Sequence, residues 1–386
     1  MSKLQITSFV FDAPPIRHLE DIASSSSSFS VNIGQNRTTV ESYFIGLKMT
    51  AKRYTSGFSG DNTFGLTLLF AHGVGSHKEQ WEPTIERIFL TQAVKERHHQ
   101  IREAWSFDWQ NHGDAALVNE EVLRARPEGV CENVHGFISE FELTRYFFAA
   151  IYEWAPAIID FVRSPRMAGH RIVPLGHSAG AGAMMLTTKN FPLSHLPYVS
   201  LVLVEPTMIT REMFEAHFDD RIRSMELSVG ATEVRRDVWP DREEAFRWLS
   251  RRFPFRTWDP RVVRLLVEQG LYQKSPESKV VTLKCDRKQE AISYPDVDGH
   301  FEATSELARV CHTLPVHVIW GTSNDMFPDY FQDSLTDATE GRIVASASRV
   351  HGAGHLVMQE KPDHLALKIC EALDTVNPYL SLRSRL

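Results

Sequence analysis

Residues 171–189 read RIVPLGHSAGAGAMMLTTK, and this stretch decides the fold. The apolar run at 172–175 predicts a buried strand, and the small apolar residues that end the stretch predict the start of a helix. Between them, Gly176-His177-Ser178-Ala179-Gly180 matches the G-x-S-x-G pattern of a sharp strand–turn–helix. Such a turn projects the serine hydroxyl from the edge of a sheet, so the pattern predicts a nucleophilic Ser178.

The residues around Ser178 have physical roles in this interpretation. A side chain at Gly176 or Gly180 would collide with the neighbouring strand and helix. The backbone N–H of Ala179, at the N-terminus of the new helix, is a candidate donor to an oxyanion. Pro174 is an objection, because proline removes a donor from the ladder of a central strand. An ordinary glycine-rich turn is the alternative explanation of the five residues taken alone.

The bulk composition is that of a soluble globular protein. The chain has 386 residues, of which 42% are hydrophobic and 24% are charged, and its formal net charge is −7. A chain of this length can form one elaborated domain or a domain with a lid. The negative charge gives no reason to expect nucleic acid or an anionic membrane as partner. No run reaches the ~18 apolar residues of a spanning helix, so we expect no membrane span.

The cysteines and the C-terminus bear on the compartment. Cys131, Cys285, Cys311 and Cys370 are widely spaced without a C-x-x-C motif, which is typical of free thiols in a reducing compartment. We expect no metal site and no cofactor. The chain ends in Ser384-Arg385-Leu386, a tripeptide of the class that directs proteins to peroxisomes. We therefore expect peroxisomal localisation, with the import receptor as a partner.

Strand and helix signals alternate along the chain. Besides 172–175, strands are predicted at residues 4–12, 45–55, 66–71, 101–109, 198–204, 316–320 and 342–347, and helices at 78–97 and 143–162. This alternation predicts an α/β fold with a mostly parallel sheet flanked by helices. Residues 207–312 are rich in Arg, Trp, Phe and Met, and we interpret them as a mostly helical lid inserted into a core of residues 1–206 and 313–386.

A second oxyanion donor is expected after the strand at 66–71. The segment His72-Gly73-Val74-Gly75 follows that strand, and its His-Gly turn makes the Val74 N–H the candidate partner of the Ala179 N–H. A polar cluster at 108–114 follows another predicted strand. We interpret that cluster as a hydrogen-bonded loop that supports the turn.

The nucleophile needs a base, and the base needs an orienting acid. His355 follows the last predicted strand and is the candidate base. The acid has two candidates. In the spacing G-x-x-D-x-x-x-P, which runs from Gly321, Asn324 takes the position of the carboxylate, and Asp325 lies one residue later. Glu205 directly follows the strand after the serine turn and is favoured over Asp325, with Glu82 and Asp108 as more distant alternatives.

Together these residues resemble the α/β-hydrolase superfamily over essentially the whole chain. Within it, the chain is similar to the fungal peroxisomal hydrolases of secondary metabolism, of the mycophenolic acid acyl-CoA hydrolase and AK-toxin biosynthesis type. The similarity rests on the terminal SRL and on AHGVGSHKEQWEP (71–83), FDWQNHGDA (107–115), PLGHSAGA (174–181), LVLVEP (201–206) and WPDREEA (239–245).

The resemblance implies a helical lid over a hydrophobic acyl pocket and a triad of Ser178, His355 and Glu205. It further implies hydrolysis of acyl-CoA thioesters or carboxylic esters in peroxisomes. Three alternatives stay open: an acyltransferase or cyclase that uses the same acyl-enzyme, a lipase-like ester hydrolase, and a binding protein with a relict triad. The natural substrate and a homodimeric state are also open.

Overall fold

The structure is a computed structural model that describes residues 3–14, 46–125 and 151–378. Eleven strands occur in these residues: β1 Gln5–Asp12, β2 Lys48–Thr55, β3 Leu66–Ala71, β4 Ile101–Phe107, β5 Arg171–His177, β6 Leu201–Val204, β7 Val238–Trp239, β8 Leu271–Tyr272, β9 Val281–Leu283, β10 Val316–Gly321 and β11 Ser346–Val350. Eight of them form one sheet in the order β1-β2-β4-β3-β5-β6-β10-β11. Strand β2 is antiparallel to β1 and β4, and the other neighbours in the sheet are parallel. The expected mostly parallel sheet is confirmed.

Helices cover both faces of this sheet. The described α-helices are α1 Glu82–Gln92, α2 Gly113–Val118, α3 Glu120–Ala125, α4 Ile151–Arg163, α5 Ala179–Leu186, α6 Arg211–Ala216, α7 Phe218–Val234, α8 Arg242–Leu249, α9 Pro260–Gln269, α10 Arg287–Ala291, α11 Asp298–Val310, α12 Asp329–Leu335, α13 Val357–Glu360 and α14 Pro362–Leu373. Leu69 and Ala71 of β3 pack with α4, α5 and α11, whereas Leu68 and Phe70 pack with α1 and α14. Because successive side chains of a strand face opposite ways, the fully buried β3 contributes to both cores.

Pro174 lies inside the central strand β5, as expected from the apolar run at 172–175, although it has no backbone N–H to donate to a neighbouring strand. On the β3 side, Pro174 is paired with Leu69. On the β6 side, an isolated bridge joins Ile172 to Tyr198, and continuous pairing begins only at Leu175. The ladder with β6 is therefore interrupted at the residue that lacks a backbone donor.

The segment expected to be a lid contains more than helices. It carries α6 to α11 and also a three-stranded sheet of order β7-β9-β8, which the sequence analysis did not predict. Trp239, Leu249, Val263 and Val281 belong to a separate apolar cluster formed within this segment. Helix α11 instead packs into the main core beside α5.

Several element boundaries differ from the sequence-based expectation, and in two elements the difference is four residues or more. The strand expected at 342–347 begins only at Ser346, because Gly341 has φ 76° and the buried Arg342 guanidinium is hydrogen-bonded to the Ser334 carbonyl. The helix expected at 78–97 starts as a 3₁₀ turn, Lys78–Trp81, and its α-helical part ends at Gln92.

Some expectations fall outside the described residues. These concern Cys131, the first part of the helix expected at 143–162, and the terminal Ser384-Arg385-Leu386. Cys285, Cys311 and Cys370 carry free thiols. None of the helices in the described ranges has the length and apolar character needed to cross a membrane.

Candidate active site

Ser178 occupies a sharp turn between β5 and α5. Its backbone has φ 56° and ψ −125°, a conformation that side-chain-bearing residues rarely adopt. A Cβ on Gly176 would come within 2.2 Å of the Gly180 carbonyl oxygen, and a Cβ on Gly180 would come within 2.5 Å of the His72 carbonyl oxygen. Both glycines are therefore required by close backbone contacts, as the motif predicts.

His355 contacts the serine. It lies on the loop between β11 and α13 and is buried, and its Nε2 is 3.0 Å from Ser178 Oγ. The apolar ring of Phe327 packs edge-on against the imidazole, with 4.6 Å between the ring centroids. This geometry is suitable for transfer of the serine proton to the imidazole.

Glu205 contacts the other imidazole nitrogen. It directly follows β6, is buried, and has φ 45°, so its side chain leaves the strand end in an unusual direction. Its Oε2 lies 3.2 Å from His355 Nδ1, and its Oε1 accepts a hydrogen bond from the Gly321 N–H. A carboxylate at Nδ1 keeps the proton on that nitrogen, which leaves the Nε2 lone pair facing Ser178.

The other acid candidate contacts the backbone of His355 instead of its ring. Asp325 Oδ1 accepts a hydrogen bond from the His355 backbone N–H at 2.8 Å. Asn324, which has the usual position of the acid in the sequence pattern, is exposed and hydrogen-bonded to Asp329 and Gln332. The two distant alternatives are also bound elsewhere: Glu82 to Lys52 and Tyr54, and Asp108 to Lys78 and Thr50.

The expected oxyanion turn lies beside the serine. A Cβ on Gly73 would be 2.9 Å from Ser178 Cβ, which shows how closely the His-Gly turn approaches Ser178. Among the hydrogen bonds of the described residues, none uses the Val74 N–H. Ala179 is the first residue of α5, so its N–H has no acceptor inside the helix. Both expected donors therefore lie beside Ser178 without an acceptor among the described residues.

The polar cluster at 108–114 supports this turn, as predicted. The Trp109 indole N–H donates to the His72 carbonyl at 3.0 Å, and the Gly75 N–H donates to His112 Nε2 at 3.0 Å. Burial lowers the pKa of His112 well below its ordinary value, and the nearby His72 acts in the same direction. A neutral His112 can accept the Gly75 hydrogen bond, so burial maintains the contact.

A buried ionic network lies behind the turn, and sequence reasoning missed it. Lys78 is 1% exposed, and its Nζ lies 2.6 Å from Asp108, 2.7 Å from Asp114 and 2.9 Å from Glu79. Burial opposes the charge of Lys78, but the three carboxylates dominate and raise its pKa. Asp108 also accepts the backbone N–H of Lys78 and of Asp114. The network thus ties the turn after β3 to the loop after β4.

His177 has a structural role that the sequence did not indicate. Its Nε2 lies 2.8 Å from the His355 carbonyl oxygen, so the residue before Ser178 anchors the loop that carries His355. Burial, together with the neighbouring His355, lowers the pKa of His177 to about 3. His177 is therefore a neutral donor at the pH values at which proteins work.

Two concave regions adjoin the site. A groove of about 520 Å³ runs between α7 and the loop after β10, and its wall includes Arg221, Asp325 and Phe327. A smaller cavity lies between the Gly75 turn and the segment 235–290. Within the described ranges, no cluster of His, Cys, Asp or Glu side chains could hold a metal ion.

Comparison with known proteins places these features in a family. Residues 68–366 match the family model described as the alpha/beta hydrolase family. No curated protein sequence matches the chain.

Solved structures share the fold at low sequence identity. The peroxisomal alpha-beta-hydrolase Lpx1 from Saccharomyces cerevisiae is 17% identical with a TM-score of 0.62, over 97% of this chain and 90% of that one. E-2-(acetamidomethylene)succinate hydrolase is 16% identical with a TM-score of 0.56, over 85% and 96%. The thioesterase domain from the curacin biosynthetic pathway is 14% identical with a TM-score of 0.54, over 85% and 95%. At these identities, the likeness establishes the fold.

Proposed function

The chain belongs to the alpha/beta hydrolase family, and on that basis we propose that it is a serine hydrolase that cleaves an acyl thioester or a carboxylic ester. Ser178 is the nucleophile, His355 the base and Glu205 the acid. The observation that carries the proposal is the chain of contacts from Ser178 Oγ to His355 Nε2, at 3.0 Å, and from His355 Nδ1 to Glu205 Oε2, at 3.2 Å. Asp325 positions the base through its backbone.

The reaction follows from these contacts. His355 Nε2 takes the proton of Ser178 Oγ as the oxygen attacks the substrate carbonyl carbon, and the resulting imidazolium is stabilised by Glu205. The imidazolium then donates its proton to the leaving group, and an acyl-enzyme remains on Ser178. In the second half-reaction, His355 activates a water molecule that releases the acid and restores the serine.

The N–H groups of Val74 and Ala179 stabilise the oxyanion. The closeness of Gly73 to Ser178 and the position of Ala179 at the start of α5 support this role. Removing one oxyanion donor costs about 10²–10³ in kcat in enzymes of this type. Both donors are backbone N–H groups. Their positions therefore depend on the conformation of the turn, and replacing the side chain of Val74 or Ala179 does not remove them.

We infer an acyl-CoA thioester of secondary metabolism as the substrate class from the sequence resemblance. The thioesterase domain of the curacin pathway shares the fold, which agrees with a thioester substrate. The residues 207–312 serve as the lid in this proposal. These residues contact helix α13, which follows the loop that carries His355: the Asp259 backbone N–H donates to the Gln359 carbonyl at 2.8 Å, and the Thr257 hydroxyl donates to the Glu360 carboxylate at 3.0 Å.

Peroxisomal localisation is part of the proposal. Its support is the tripeptide Ser384-Arg385-Leu386, and the peroxisomal location of the yeast hydrolase agrees with it. A fluorescent fusion that leaves the tripeptide at the C-terminus is expected to enter peroxisomes, and the same fusion without it is expected to stay outside them. Equal distribution of the two fusions would contradict peroxisomal targeting by this signal.

The activity is tested with matched panels of acyl-CoA, lipid ester and aryl ester substrates. The wild type is expected to hydrolyse at least one class, and Ser178→Ala is expected to lose that activity and its labelling by a fluorophosphonate. Hydrolysis at the wild-type rate by Ser178→Ala would contradict the proposal. Product analysis with an added alcohol or amine separates hydrolysis from acyl transfer, and labelling that depends on Ser178 argues against a relict triad.

A further inference from the structure

The turn that carries Val74 contacts a buried carboxylate of the segment 207–312. Glu290 lies in α10 and is 1% exposed. A Cβ on Gly75 would lie 2.7 Å from Glu290 Oε1 and 3.2 Å from its carboxyl carbon. The Glu290 carboxylate therefore fills the space that a side chain at residue 75 would need, and it packs directly against the backbone of the turn.

Arg235 holds this carboxylate in place. Its Nη1 donates to Glu290 Oε1 at 3.0 Å, and its Nη2 donates to Oε2. Arg287, the first residue of α10, donates to the backbone carbonyl of Arg235 at 2.7 Å. A bidentate pair of this kind fixes both the position and the plane of a carboxylate. The group that touches Gly75 is thus rigidly oriented.

Two further contacts join the same part of the chain to the loop that supports the turn. The Asn111 side-chain amide donates to the Gln289 carbonyl at 2.9 Å, and Lys284 Nζ donates to Asp114 Oδ1. Asp114 also belongs to the buried network of Lys78. Residues 284–290 therefore contact both the turn after β3 and the loop after β4.

The turn is held from two sides. The Gly75 N–H donates to His112 Nε2 at 3.0 Å, and the Glu290 carboxylate packs against the position of the missing side chain. Val74 precedes Gly75, and consecutive α-carbons are about 3.8 Å apart, so a shift of Gly75 also moves the Val74 N–H. An oxyanion donor needs a distance of about 2.7–3.1 Å to be effective, so small shifts matter.

The charge of Glu290 would be unfavourable without its partner. An unpaired carboxylate beside an oxyanion donor opposes the negative charge that develops on the substrate oxygen. The Arg235 guanidinium, bound to both carboxylate oxygens, neutralises it. The ion pair can therefore support the turn without opposing the reaction.

We propose that Glu290, fixed by Arg235, is a positioning residue for the reaction, because it holds the turn that directs the Val74 N–H at the oxyanion. The inference rests on the proposed hydrolase function and extends it, since it makes the oxyanion site depend on a segment far along the chain from β3.

The rate of labelling by a fluorophosphonate measures this role without a natural substrate. The bond from Ser178 Oγ to phosphorus forms, the phosphorus–fluorine bond breaks, fluoride leaves, and the serine proton passes to His355. The phosphoryl oxygen takes the place of the oxyanion. The dependence of the rate on probe concentration separates the maximal rate constant, kinact, from the half-saturating concentration, KI.

Glu290→Asp is the first variant. It keeps a negative charge opposite Arg235 and withdraws the carboxylate from Gly75 by one methylene group. We expect kinact to fall about tenfold and KI to stay within about twofold, because the donor is displaced and not removed. The best substrate of the panel should show the same division between kcat and KM. A kinact within twofold of wild type, or an effect on KI alone, overturns the proposal.

Glu306→Asp is the matched control. Glu306 lies in α11 of the same segment, is 8% exposed, and accepts hydrogen bonds from Arg309 at 2.9 Å and from the Thr188 hydroxyl at 3.0 Å. It thus pairs with an arginine as Glu290 does, but it contacts the chain beyond the C-terminal end of α5. We expect kinact within about twofold of wild type. A tenfold loss in this variant as well would show a general effect of shortening buried carboxylates.

Gly75→Ala is a second test that leaves the ion pair intact. The added methyl group meets Glu290 Oε1 at 2.7 Å in the wild type, whereas Glu290→Asp makes room for it. We expect Gly75→Ala to lower kinact about tenfold or more, and the double variant to be labelled no more slowly than Gly75→Ala. The strain of alanine at φ 74° is present in both backgrounds and cancels in the comparison. A double variant slowed by the product of the single effects overturns the contact as the cause.

The proposed function and this inference fail in different ways. Labelling that persists in Ser178→Ala, or a wild type that is not labelled, contradicts the serine hydrolase itself. Labelling that depends on Ser178 and is equally fast in wild type and Glu290→Asp contradicts only the role of Glu290. Urea unfolding checks that each variant is folded under the labelling conditions.

Discussion

The Asp325 carboxylate accepts a hydrogen bond from the backbone N–H of His355, while the ring of His355 is bound by Glu205. The two acids that compete in the sequence therefore contact the same histidine at different atoms. One fixes the position of its loop, and the other contacts Nδ1 of its imidazole. This difference makes their substitutions distinguishable.

Glu205→Gln is expected to lower kcat by about 10²–10⁴ with little change in KM. The Gln carbonyl can still accept the Gly321 N–H, but its amide N–H₂ then faces His355 Nδ1 and favours the wrong tautomer, with the proton on Nε2. Steady-state kinetics on the best substrate of the panel measures the effect. An activity within tenfold of wild type would show that Glu205 is not the acid.

Asp325→Asn is expected to retain most of the activity, within about tenfold, because the amide oxygen can still accept the His355 N–H. Asp325→Ala removes the acceptor and is expected to cost about 1–3 kcal/mol of unfolding free energy, with a moderate further loss of kcat. Urea unfolding and kinetics on both variants test this. If Asp325→Asn lost more activity than Glu205→Gln, the roles assigned to the two acids would be reversed.

Gly180→Ala is expected to destabilise the protein by about 3 kcal/mol or more, because its Cβ would lie 2.5 Å from the His72 carbonyl oxygen and 2.7 Å from that of Ala71. Gly182→Ala, two residues further along α5, is the control. Its Cβ would meet only side chains, at 3.4 Å and beyond, and alanine is the better helix former. Thermal and urea unfolding are the measurements, and equal stability of the two variants would contradict the steric argument.

The unfolding free energy is expected to fall as the pH decreases from about 6.5 towards 4. Burial lowers the pKa of His72 to about 4 and that of His177 to about 3, from an ordinary 6.5. Between these pH values the two histidines are protonated in the unfolded chain but not in the native state. Each histidine therefore lowers the free energy of unfolding by up to about 1.4 kcal/mol per unit decrease in pH. Urea unfolding at several pH values measures the slope.

The exposed His351 is the control for this acid dependence. His351→Gln is expected to leave the slope unchanged, since the side chain of His351 is exposed to solvent in the folded protein as it is in the unfolded chain. A free energy of unfolding that stays constant between pH 6.5 and 5 would show that His72 and His177 take up protons in the native state.

The sheet and the serine turn were predictable because their signals are local. The apolar run of β3 and the glycines around Ser178 specify backbone conformation within a few residues. The acid was not decided by the sequence, because the choice depends on which carboxylate meets the ring of a residue 150 positions away from Glu205. The positive φ of Glu205, which directs its side chain, has no sequence signature in a non-glycine residue.

The features that were missed depend on tertiary contacts. Lys78 and Glu79 have the composition of an exposed helix face, yet both are buried. Asp108 and Asp114, which follow β4, pair with Lys78, and Lys52 of β2 pairs with Glu79. Strands β7, β8 and β9 have two or three residues each, too few for a periodic pattern.

Because Glu205 lies at the end of β6, the proposed triad and one wall of the large groove come from different loops. In the proposed triad, Ser178 follows β5, Glu205 follows the adjacent strand β6, and His355 lies on the loop after β11. Strand β10 lies between β6 and β11, and the loop after it carries no member of the triad. That loop, which includes Met326 and Phe327, forms one side of the large groove beside α7. Its sequence can therefore be redesigned towards new substrates without moving a member of the triad, provided that Asp325 keeps its hydrogen bond to the His355 backbone and Phe327 keeps its contact with the His355 ring.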